Sequence, residues 1–175
     1  MRTKRAQLAL VVGIASVVVG AVAALGAAAT PSTSARLYAK AGPVSMHATL
    51  TMQTTQPTSP KVGKLSSCTV QPVSKPRAGV ADKLVCTNAS GQKVSVMLAP
   101  TAATLTYKLA APSSFDLSAA TVQIRHNDDV LYTLAASGGT LTVPLSHTAA
   151  LLNGHDVLYV QAGAHTYHHL IHQVP

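Results

Sequence analysis

The chain has no tryptophan, a single phenylalanine and no glutamate. Without Trp, and with Phe115 alone of its kind, it lacks the ring platforms on which carbohydrate modules stack sugars and single-strand binders stack bases. Its only carboxylate side chains are Asp82, Asp116, Asp128, Asp129 and Asp156, most of them where turns are expected, which leaves little for paired-carboxylate catalysis. Cysteine is limited to Cys68 and Cys86, and their spacing is not the Cys-x-x-Cys of thiolate metal or redox sites. There is no Gly-x-Ser-x-Gly elbow, no glycine-rich phosphate loop and no His-Glu-x-x-His. These absences count against an enzyme. Acid is also missing from residues 30–80, which carry Arg36, Lys40, Lys61, Lys64, Lys75 and Arg77.

What is present begins with a leader. Arg2, Lys4 and Arg5 precede an uncharged run, Leu8–Ala29, that ends in Ala27-Ala28-Ala29. A basic start, an apolar core and a small-residue exit are the features read by export machinery, and the Ala/Val-rich core is of a bacterial kind. The run is also long enough for the alternative, a retained membrane anchor over residues 8–29 with its basic end in the cytoplasm. Residues 1–29 are therefore expected to be a signal peptide or N-terminal anchor helix, and the rest to work in the periplasm or as a secreted protein.

About 146 residues follow the leader, enough for one domain with a core. Residues 30–43, rich in Ser, Thr, Ala and Lys with a proline at each end, read as a flexible basic tether, and residues 44–175 as a single domain. Val44–Gln53 alternates apolar and polar side chains over ten residues, the mark of a half-buried strand. Further strands are expected near 65–70, 82–87, 93–99, 104–110, 121–126, 130–136, 140–145, 156–162 and 165–174, broken by turn-rich segments. Ser146 is expected to cap one helical turn that Asn153-Gly154 ends. Many short strands and little helical periodicity predict an all-β fold, an antiparallel β-sandwich of Greek-key or immunoglobulin-like outline. In an oxidising compartment Cys68 and Cys86 should form a disulfide; closing the 17 residues between them contributes roughly 3 kcal/mol.

Histidine is the conspicuous excess. His165, His168, His169 and His172 fall within eight residues, with His147 and His155 upstream. Neutral imidazoles bind Cu or Zn where several converge, so these four form a candidate metal set, against the plainer reading of a polar edge strand. Met46, His47 and Met52 offer copper-like donors, but alternation sends both methionines to the opposite face from His47, which favours core packing. Ser146-His147 are adjacent rather than arranged for proton transfer, and Asp128-Asp129 after Asn127 suit a hairpin turn. The sequence thus points to a non-enzymatic exported domain without a required cofactor, binding an envelope or extracellular protein. Contact of the basic arm with a membrane surface is a further expectation. Nucleic acid is not expected as a partner. The competing reading is a periplasmic Cu/Zn protein that uses the C-terminal histidines.

Overall fold

The computed structural model describes residues 32–53, 65–77, 80–97 and 103–175, so the leader expected at 1–29 lies outside the described residues. Among the described residues no helix is long and apolar enough to cross a membrane. The fold is all-β. Its strands are β1 (Ser32–Ala41), β2 (Val44–Gln53), β3 (Ser66–Arg77), β4 (Val80–Thr87), β5 (Lys93–Met97), β6 (Ala103–Ala110), β7 (Thr121–His126), β8 (Asp129–Leu134), β9 (Gly139–Val143), β10 (Asp156–Ala162), β11 (His165–Leu170) and β12 (His172–Val174). One helix, α1 (Leu145–Leu152), precedes β10. The strands form three antiparallel sheets, ordered β12-β1-β2-β6-β9, β11-β10-β7-β8 and β3-β4-β5.

The first difference from the sequence reading is β1. Residues 32–41, read as part of a tether, pair with β2 along their whole length, from Ser32 opposite Gln53 to Ala41 opposite Val44. Thr33, Ala35, Leu37, Ala39 and Ala41 point inward and are buried. The alternation is there in the sequence, but three of its five inward positions are alanine, whose weak hydrophobicity and poor strand propensity mask it. Gly42-Pro43 closes the hairpin, with Gly42 at φ 58°, the left-handed region that the first position of a mirror-image two-residue turn requires. The Tyr167 ring from β11 lies over the same residue, within 2.4 Å of where a Cβ would stand.

β2 spans the residues its alternation predicts, with Val44, Met46, Leu50 and Met52 fully buried. On the second sheet Val122, Ile124, Leu134, Leu158 and Val160 are buried in the same core cluster, and β1 packs against β10 and β11. Each such Leu, Ile or Met side chain taken out of water contributes about 1.5–3 kcal/mol.

Cys68 and Cys86 are joined by a disulfide that ties β3 to β4, with Cα atoms 4.1 Å apart. Two side-chain amides hold β3 to the rest of the molecule by imitating strand pairing. Asn153, just beyond α1, accepts from the Cys68 N–H and donates to the Cys68 carbonyl, both at 2.9 Å. Gln173 of β12 accepts from the Leu65 N–H at 2.9 Å and donates to the Leu65 carbonyl and, at 2.8 Å, to that of Leu152. The helix stops at Asn153-Gly154 as expected, with Gly154 at φ 70°. Its start differs: Pro144 occupies the cap position, and Ser146 lies inside the first turn rather than capping it.

Candidate binding face

The five-stranded sheet buries one face in the core and leaves the other open. Because β residues alternate, one residue in two along each strand reaches that open face, and the register lines these residues up in rows across the sheet. One row runs His172, Tyr38, His47, Lys108 over β12, β1, β2 and β6. The next runs Val174, Arg36, Thr49, Thr106, Thr140, and another Ser34, Thr51, Thr104, Thr142. Lys40 opens a further row beside Ser45. Arg36, Lys40, His47, Lys108 and His172 are exposed.

No strand of this sheet contains an acidic residue. Among the described residues, the only ion-pair geometry is that of His126 with Asp156, on the other sheet, so Arg36, Lys40 and Lys108 have no carboxylate partner there. A shallow groove of about 250 Å³ crosses β1, β2 and β6, lined by Arg36, His47, Thr49, Thr106 and Lys108 together with Leu37, Ala48 and Val174. The Tyr38 ring lies between two imidazoles, its centroid 4.9 Å from that of His47 and 5.6 Å from that of His172. The Thr106 and Thr140 hydroxyls are 3.2 Å apart and hydrogen-bonded. The positive charge therefore lies on one face of the sheet, between rows of hydroxyl groups.

The C-terminal histidines are not gathered into one set. Ile171, fully buried, carries the chain from one sheet to the other, so His165, His168 and His169 belong to β11 while His172 belongs to β12. His168 stands opposite Tyr159, and His165 and His169 flank the opposite face. His165 and His169 share a face, but four residues of strand separate them by about 13 Å, too far for one ion. His169 and His172 approach most closely, with ring centroids 6.1 Å apart, and each Nδ1–H donates to the Leu170 carbonyl, at 2.9 and 3.4 Å. Among the described residues, no three His, Cys or Asp side chains are grouped as a metal site. Met46 and Met52 are buried in the core and His47 is exposed on the opposite face, as alternation implies.

A second cluster, which sequence reasoning missed, lies where β7, β10 and α1 meet. Asp156 is fully buried; its Oδ1 accepts from His126 Nδ1 at 2.8 Å, and its Oδ2 has no hydrogen-bond partner. Burial pushes this carboxyl above its ordinary range, opposed by the hydrogen bond from His126 and by the nearby imidazoles of His126, His147 and His155. Burial, and then the charge of Asp156, raise the Tyr132 hydroxyl, which lies 3.5 Å from His147 Nδ1. Ser146 is exposed, and Asp128 occupies the two-residue turn between β7 and β8 beside Asn127 at φ 53°. The His126–Asp156 pair brings together residues 30 apart in sequence, and no local pattern signals it.

No protein-family profile, curated protein or solved structure matches this chain.

Proposed function

We propose that this chain is an exported, non-enzymatic binding domain of a bacterial envelope, working in the periplasm or beyond it. It would engage another macromolecule through the open face of its five-stranded sheet. The observation that carries this reading is the face itself, where Arg36, Lys40 and Lys108 stand exposed on strands that hold no acid. Fixed positive charge with no internal partner raises the local concentration of an anionic partner and orients its approach. The disulfide is consistent with an oxidising compartment. The packing of β1 on β10 and β11 supports a sandwich of Greek-key, immunoglobulin-like outline, in which one sheet braces the other.

The reading is tested by immobilising the tag-free domain and an Arg36→Asp/Lys108→Asp variant and exposing both to envelope extract. The native domain is expected to retain a component that the charge-reversed variant does not. Equal retention by the two would remove this face from the account.

A further inference from the structure

Resting on that reading of the face, we infer that its occupant is a carboxylate-bearing polysaccharide, a polyuronate, lying along the groove lined by Arg36, His47, Thr49, Thr106 and Lys108. The face argues against the other anionic partners by what it presents. A protein interface of useful affinity is anchored by buried aromatic or aliphatic side chains, and here the only large ring is Tyr38, half-buried between His47 and His172. A membrane surface held by more than charge needs apolar side chains to enter it. Among the described residues, the exposed large hydrophobics Val130 and Leu170 lie on the four-stranded sheet and Val70 on the third sheet, none on this face. Single-stranded nucleic acid would need a series of stacking rings.

What the face does present is charge interleaved with hydroxyl groups. Arg36 and Lys108 stand two strands apart, about 10 Å across the sheet, with Thr49 and Thr106 beside them. A uronate chain offers the complement, one carboxylate and several hydroxyls on each ring. The Arg36 guanidinium can take a carboxylate through two parallel hydrogen bonds, Lys108 supplies a point charge, and the threonines can exchange hydrogen bonds with ring hydroxyls. The sugar would be held by charge and hydrogen bonds, not by the ring stacking for which this chain has no tryptophan.

The test measures binding of a fluorescent polygalacturonate octamer to the intact disulfide-bonded domain. A duplex DNA of matched charge and phosphatidylglycerol vesicles serve as rival anions. The octamer is expected to bind at least tenfold more tightly than the DNA. Arg36→Ala/Lys108→Ala should weaken it tenfold or more, and Arg36→Lys several-fold through loss of the paired hydrogen bonds. Thr49→Val/Thr106→Val should weaken the octamer about threefold or more and leave the DNA unaffected. All these positions are exposed, and unchanged thermal midpoints would show that the variants fold.

Octamer binding no tighter than DNA binding, or untouched by the threonine variant, overturns the inference. If Arg36→Ala/Lys108→Ala abolishes binding of DNA or vesicles while the octamer does not bind, the face remains a binding surface and the polyuronate is the wrong partner. If the charge variant alters no probe and no retained envelope component, the reading of the face itself fails.

Discussion

Asp156 has a carboxylate oxygen with no partner, sealed from water at the start of β10. Burial raises its folded-state value above the roughly 3.9 of an unfolded aspartate, so the folded state holds the proton more tightly. The stabilisation linked to that proton is fully present below about pH 3.9 and is lost as pH rises through the raised value. Asp156→Asn keeps an oxygen for the His126 hydrogen bond and removes the titration. Chemical denaturation of both proteins from pH 4 to 8 should show the native chain losing ground to the variant as pH rises; a constant difference would contradict the assignment. Gly42 is the other residue at which one substitution should be decisive. Its left-handed backbone and the Tyr167 ring where a Cβ would sit both oppose a side chain. Gly42→Ala should cost at least about 1–3 kcal/mol in urea unfolding, and a neutral result would mean that Tyr167 moves aside freely.

At the scale of elements, the strands whose alternation uses large side chains were legible and those built on alanine were not. β2, with Val, Met and Leu inward, could be bounded to the residue from sequence, as could β10. β1, with alanine at most inward positions, read as a tether. The last segment reads as one strand because nothing in its pattern distinguishes Ile171 as a crossing point; its burial between two sheets is a tertiary fact. That crossing also puts His172 on a different sheet from the histidines of β11, though its ring stays beside that of His169. The disulfide was legible because a chain with two cysteines has one intramolecular pairing. Reducing it, or replacing both cysteines by alanine, should lower stability by about 3 kcal/mol. The amide clamps were not legible, since neither Asn153 nor Gln173 lies near its partner in sequence. Asn153→Ala leaves the Cys68 amide without its acceptor and should cost about 1–3 kcal/mol. Hydrogen exchange should then quicken at Cys68 more than in β2, and equal protection at both sites would contradict the clamp.

On the scale of the whole molecule, charge is segregated. Asp116 and Asp128 lie in turns, Asp129 opens β8, Asp82 is on the third sheet and Asp156 is the buried partner of His126, while the five-stranded sheet holds only bases and neutral residues. The basic character of residues 30–80 was plain in the sequence, but its arrangement was not. Arg36 and Lys40 reach the face only because β1 is a strand, and Lys108 joins them from β6, nearly seventy residues on. His47 and His172 share the face with Arg36, Tyr38, Lys40 and Lys108, on strands that hold no acidic side chain. Polyuronate affinity should therefore fall with added salt, which screens these exposed charges. The most direct measurement is the footprint. Amide chemical shifts followed during addition of the polygalacturonate octamer should move at Arg36, Tyr38, His47, Thr49, Thr106 and Lys108, while β7, β8 and β11 stay still. Shifts centred on His165, His168 and His169 of β11, or spread evenly over the molecule, would contradict the account.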